Sequence, residues 1–330
     1  MERVRYGIIG FGMFAEKSIA PAIKASPNSE LVAIQKRSAV AAAEKAGELG
    51  IPYVFDSVAK LVRDPAIDAV FIASVNAAHC GETLAAARAG KHVLVEKPMA
   101  MDAREAKQMI QSCRSAGVKL MVAHMLRFSP LLVRMRGLVQ TGAIGRPVFA
   151  RSEFVYDARL SQRSWLHDRR LAGGGPVYDI GVHCLDSLRF VLDDEVTETE
   201  SLLVPEPTEG TTESTALLQL KFSKGTPASI LCSYDVPLRR TFIEIVGTEG
   251  GLSASNFTVG ERVAPLTITR GGADGATEER VDQIAVPNLY VEEVTHFSDC
   301  IIRGHEPVLT GENGLRNQVV LDAAMRQRRD

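Results

Sequence analysis

No stretch of this 330-residue chain approaches the roughly 20 consecutive apolar residues needed to cross a bilayer. An excess of charge of one sign is also missing. With 38 Lys and Arg against 40 Asp and Glu, the formal net charge is -2. No global field therefore recruits nucleic acid or an anionic membrane. The five cysteines (Cys80, Cys113, Cys184, Cys232 and Cys300) are scattered, odd in number and form no CxxC pair. Reduced thiols in a cytoplasmic protein fit that pattern better than a disulfide framework. The first five residues lead directly into a strand pattern, leaving no room for a signal peptide. There is no internal repeat and no low-complexity tract.

What is there is an alternation of short apolar runs with Ala-rich amphipathic segments. Residues 6–9, 31–34, 68–73, 92–95 and 119–123 read as buried strands, with helical stretches such as 81–89 and 103–116 between them. Near-continuous apolar strands separated by helices predict a doubly wound parallel sheet covered on both faces. The rhythm changes after residue 128. A helix is expected over 130–140, then longer alternating strands over 148–156, 216–222, 228–234 and 241–246. Residues 204–212 and 270–279 are polar and rich in Gly or Pro, and are expected as loops. Helices over 289–302 and 313–328 close the chain. The fold class expected is α/β: a doubly wound Rossmann domain over 1–123, then an α+β domain over 124–330.

Gly10-Phe11-Gly12-Met13-Phe14-Ala15 follows the first strand and opens a helix. Gly10 permits the tight turn, Gly12 leaves room for a pyrophosphate, and Ala15 lets the helix lie close to the strand. The helix N-terminus offers free N–H groups to the phosphates. A glycine-rich turn with no ligand is the plain alternative. NAD sites place an acid at the end of the second strand, yet residues 31–43 contain none. Lys36, Arg37 and Ser38 stand there instead, and two cations and a hydroxyl suit a 2′-phosphate. NADP(H) is favoured and NAD(H) stays possible.

Two further segments carry chemistry. Glu96-Lys97-Pro98 ends the strand 92–95, and strand carboxyl ends are where ligands lie in such sheets. Alone, Lys97 reads equally as a strand-end lysine with its head in water. Gly173-Gly174-Gly175 precedes a helix expected to start near Tyr178, with Asp179 and His183 four residues apart. On an α-helix they share one face, where a carboxylate can orient an imidazole acting as general base. A capping Asp beside a packed His is one alternative. A metal pair completed by His167, serving an aldolase or hydrolase, is another, although no spacing supports it and the expectation is no metal.

Taken together the segments resemble the glucose–fructose oxidoreductase, inositol dehydrogenase and MocA family over nearly the whole chain. Ser74-Val75-Asn76-Ala77-Ala78-His79 is similar to its TPNxxH segment, with Ser-Val in place of Thr-Pro. Residues 89–98 are similar to its AGKHVLxEKP signature, and residues 173–186 to its GGGxxxDxGxHxxD segment. The resemblance implies Lys97, Asp179 and His183 as the catalytic group. It implies Asn76 and Glu96, with Ser74 and His79 of the same segment, near the cofactor. It implies that the second domain serves substrate binding and oligomerisation, with a large, mostly antiparallel open sheet whose outer face makes a homodimer or homotetramer. The activity implied is hydride transfer between a nicotinamide and a sugar, anhydrosugar or polyol. His124 and Trp165 are candidate substrate contacts, with hinge and core roles as their alternatives. A non-catalytic NADP sensor or scaffold of the same fold is the rival function.

Overall fold

The computed structural model describes residues 2–271 and 276–326. Its contacts divide it into two units: residues up to 124 with 290–318, and residues 125–289 with those from 319 on.

The first unit is built on six strands, β1 (Val4–Ile9), β2 (Ser29–Gln35), β3 (Tyr53–Phe55), β4 (Ala69–Ile72), β5 (His92–Glu96) and β6 (Leu120–Ala123). Their order is β3-β2-β1-β4-β5-β6 and every pairing is parallel. Val70, Phe71, Ile72, Val93, Leu94 and Val95 are fully buried, as a sheet covered on both faces requires. The order reverses between β1 and β4, and the crevice at that switch point is the ligand position of doubly wound sheets.

The helix Leu289–Arg303 lies almost wholly in this unit. The Tyr6 and Ser298 hydroxyls share a hydrogen bond of 2.8 Å, and Val122 N–H donates to the Leu309 carbonyl at 3.1 Å. The division therefore differs from one that gives all of 124–330 to a second domain.

The second unit holds β7 (Pro147–Asp157), β8 (Val196–Val204), β9 (Thr215–Phe222), β10 (Pro227–Ser233), β11 (Asp235–Gly247), β12 (Gly250–Ser255), β13 (Arg262–Gly271) and β14 (Thr277–Val286). They form one sheet in the order β14-β13-β12-β11-β7-β10-β9-β8, antiparallel except for β7 with β10. Ala216, Leu218, Leu220 and Phe222 of β9 alternate inward and are buried. The helices Pro130–Gln140 and Val182–Leu192 lie against the sheet.

The loop expected over 270–279 is instead a hairpin in its described parts: Arg270 pairs with Glu278 and Gly271 with Thr277, while 272–275 fall outside the described residues. The strand β14 is exposed along most of its length. Backbone pairing holds it, so it carries no apolar alternation to betray it. The mostly exposed β8 escaped notice for the same reason.

One buried group sets a pH dependence. Glu293 is fully buried and neither carboxylate oxygen has a hydrogen-bond partner among the described residues. Burial, and then the nearby Glu96, push its pKa well above the ordinary carboxylate value. The folded state thus holds a proton that the unfolded chain releases above about pH 4.3. Its stability contribution is full below that pH and falls as pH rises toward the folded pKa, by at most about 1.4 kcal/mol per pH unit. Glu293→Gln removes this titration. Its melting temperature should fall less steeply than that of the wild type between pH 5 and 8; parallel curves would contradict the assignment.

Candidate active site

In the first unit the turn after β1 is fixed by backbone contacts. Gly10 has φ +77°, and a Cβ there would lie 2.6 Å from Ser74 Cα, so only glycine lets the turn pass the end of β4. Gly10 N–H donates to Gln35 Oε1 at 3.2 Å, and Phe11 N–H to the Gln35 carbonyl at 2.9 Å. Gly12 differs. The only atom within 4 Å of a Cβ built there is the Gly10 carbonyl oxygen, at 3.9 Å. The fold does not require glycine at that position; what glycine leaves there is open space before a helix start. That cradle fits a dinucleotide pyrophosphate, for which backbone N–H groups must be approachable. Met13 is exposed, Phe14 packs edge-on to Tyr290 with ring centroids 5.8 Å apart, and Ala15 is buried. The helix runs through a π-helical segment, Ala15–Ile19.

At the end of β2, Lys36 is half-buried and Arg37 and Ser38 are exposed. Ser38 Oγ also accepts from Ala41 N–H at 3.4 Å, capping the helix Ala39–Leu49. Gln35, absent from the sequence-derived candidates, occupies the buried strand end and ties β2 to the glycine turn. Its place in the position usually held by an acid was the available signal.

Ser74 is half-buried beside Gly10, and Asn76 is buried at the start of the helix Asn76–Arg88. Ser74 Oγ donates to Glu82 Oε2 at 2.5 Å, and burial pushes the Glu82 carboxyl up to about 7. His79 is fully buried, so it serves from behind. Its ring nitrogens lie 3.3 Å from the Ser74 carbonyl after β4 and 3.0 Å from the Pro98 carbonyl after β5, and a neutral ring donates to one of the two. Burial depresses its pKa to about 4, so it is neutral at pH 7. Glu96 is buried at the end of β5 and accepts from Lys97 N–H at 3.1 Å, and Lys97 is half-buried. His124 is buried, and its Nε2 accepts from Asn317 Nδ2 at 3.0 Å.

In the second unit the glycine run opens a π-helical segment, Val177–Gly181, that continues as the helix Val182–Leu192. Asp179 lies in the π turn and His183 in the α-helix beyond it, so the spacing expected for a single α-helix face is altered at the junction. Asp179 is buried. Tyr156 Oη donates to its Oδ2 at 3.0 Å, and Arg163 reaches both oxygens at 3.2 Å. The Arg163 pKa is raised, chiefly by Asp179, and that of Tyr156 is raised by burial and then by Asp179. His183 is buried with its ring tilted on Phe154 at 6.1 Å. Trp165 is half-buried in the short turn Ser164–His167. Asp186, the last acid of the segment, is held by Arg127 through two bonds of 2.8 Å and is structural. Residues 157–163 were expected to supply the substrate pocket, but neither Tyr156 nor Arg163 was expected as a partner of Asp179. Their partner is distant in sequence, and nothing in a single chain of letters marks such a pairing.

An oxidoreductase family with an NAD-binding Rossmann fold matches residues 4–124, and the Gfo/Idh/MocA C-terminal domain matches residues 132–253. The chain belongs to the Gfo/Idh/MocA oxidoreductase family. Among its relatives, a 1,5-anhydro-D-fructose reductase of Ensifer adhaerens is 36% identical over 94% of this chain and 92% of its own length. A D-xylose 1-dehydrogenase (NADP(+)) of Haloferax volcanii is 31% identical over 96% of this chain and 95% of its own length. Of solved structures, the aldose–aldose oxidoreductase of Caulobacter crescentus is similar with a TM-score of 0.85 and 27% identity, covering 97% of this chain and 96% of that one. The family assignment makes the six-stranded sheet an NAD(P)-binding Rossmann domain.

The two glycines of the turn separate folding from ligand binding. Gly10→Ala should destabilise the protein by about 2 kcal/mol or more, through overlap with Ser74 and strain at positive φ. Gly12→Ala should change stability by less than about 1 kcal/mol but weaken NAD(P)H binding about tenfold or more. Thermal melts and fluorescence titration of both variants check this; equal loss of stability in the two would contradict it.

Proposed function

We propose that this protein moves a hydride between NADP(H) and a hydroxyl or carbonyl carbon of a sugar, anhydrosugar or polyol. The observation that carries the proposal is a buried, arginine-paired carboxylate, Asp179, at the start of a helical run that also buries His183, in a chain whose first third is an NAD(P)-binding domain. A buried carboxylate on the same helical run as a buried imidazole is a means of tuning a proton-transfer group. The sugar class is supported by the names of the relatives, one a reductase of an anhydroketose and one a dehydrogenase of an aldose.

Gly10, Gly12, Met13, Phe14 and Ala15 hold the cofactor's phosphates, and Ser74, Asn76 and Glu96 line its nicotinamide end. Lys36, Arg37 and Ser38 hold the 2′-phosphate, because a cationic, acid-free strand end pairs with phosphate oxygens and lacks the carboxylate that would repel them. A bound nicotinamide supplies the hydride acceptor or donor at its C4. In the oxidative direction the His183 imidazole takes the proton of the substrate hydroxyl. The negative charge of Asp179 favours the imidazolium that results. The Lys97 ammonium donates to the same oxygen and offsets the charge developing on it. Reduction runs these proton movements backward. Trp165 and His124 are substrate-side contacts in this scheme.

His183→Ala should lower turnover on a responsive sugar about 100-fold or more while leaving NADPH affinity within about twofold. Turnover equal to that of the wild type would refute the role of His183. Lys36→Ala with Arg37→Ala should raise the Kd for NADPH about tenfold or more and leave that for NADH unchanged. Equal effects on both cofactors would remove the case for NADP(H).

A further inference from the structure

We propose that Glu213 is a positioning residue for the helix that carries Asp179 and His183, an inference that rests on the function proposed above. Glu213 is fully buried and precedes β9. Its Oε1 accepts from Gly175 N–H at 2.9 Å and from Val177 N–H at 3.1 Å. Backbone amides at a helix start have no partner within the helix and need an outside acceptor. Such an acceptor ordinarily comes from the residue just before the helix. Here that residue is Pro176, which makes no side-chain cap, and the acceptor arrives from more than 30 residues along the chain.

The seat is itself held. Thr212 Oγ1 donates to the Leu166 carbonyl at 3.2 Å, in the turn that carries Trp165, and Tyr234 N–H donates to the Ser214 carbonyl at 2.8 Å. The fit is close enough that a Cβ at Gly175 would lie 2.1 Å from the Glu213 carbonyl oxygen. This accounts for glycine at that position by close approach of two backbones. Glu213 therefore fixes where the first turn begins, and the π turn with Asp179 and the helix with His183 follow from that start. Burial raises the carboxyl's pKa, and the two backbone bonds oppose that rise. One acceptor oxygen makes both bonds, so a neutral amide oxygen of the same reach replaces it.

The test compares wild type, Glu213→Ala and Glu213→Gln by turnover per folded molecule, NADPH affinity and the NMR resonances of the His183 imidazole. Glu213→Ala should lower kcat about 30-fold or more, leave NADPH affinity within about twofold and displace the His183 resonances. Glu213→Gln should recover kcat to within about fivefold and restore those resonances. If Glu213→Ala does not fold, Glu213→Asp, whose acid is one methylene shorter, takes its place. The proposal is overturned if kcat of the folded truncated variant stays within twofold of wild type, if Gln fails to rescue, or if the imidazole resonances do not move. A wild type that turns over no sugar would refute the proposed function, and the His183 resonances would still decide the role of Glu213.

Discussion

A carboxylate taken out of water must find a cation and hydrogen bonds or surrender its charge. The second unit is organised around meeting that demand at Asp179. The strand β7 supplies Tyr156 near its end, and the chain just beyond supplies Arg163, whose guanidinium spans both carboxylate oxygens. Phe154, two residues before Tyr156 and so on the same face of β7, carries the ring against which His183 lies. One strand thus supplies both a hydrogen-bond partner of Asp179 and the apolar wall of His183. The next acid along the helix, Asp186, receives the same treatment from Arg127, and Arg189 approaches it at 3.5 Å.

The first unit solves its problem with backbone rather than charge. A turn pressed against Ser74 and a glutamine reaching back from β2 hold the loop after β1, and a buried neutral histidine packs between the loops after β4 and β5. The two units share one device. Both π-helical segments of the described residues, Ala15–Ile19 and Val177–Gly181, lie where a glycine-bearing turn becomes a helix. A π segment widens the helix and re-aims the side chains beyond it, and such segments are frequent at functional sites.

Much of this was legible in the sequence because it is written in short-range patterns. The parallel sheet follows from apolar runs between Ala-rich helices, and the glycine turn from the spacing of Gly10 and Gly12. The open antiparallel sheet came from the family resemblance and from the alternation at residues 216–222. Much of what stayed hidden depends on distant partners or on backbone alone, although β13, with Ala264, Leu266 and Ile268 alternating inward, was missed despite its pattern. The exposed strands β8 and β14 have no apolar face to reveal them. Tyr156, Arg163 and Glu213 acquire roles only once folding brings them to Asp179 and to the helix start. The π turn is invisible for a different reason: propensities distinguish helix from strand, not one helical hydrogen-bond register from another.

The most direct measurement is the fate of the hydride itself. NADPH carrying deuterium at both C4 positions should be incubated with the protein and a panel of ketoses, anhydroketoses, aldoses and inosose-type ketones, and the products read by mass spectrometry. The account predicts a reduced product bearing one deuterium on its new carbinol carbon, formed as the cofactor is oxidised. An unlabelled panel and unconsumed cofactor, from protein that binds NADPH, would contradict it.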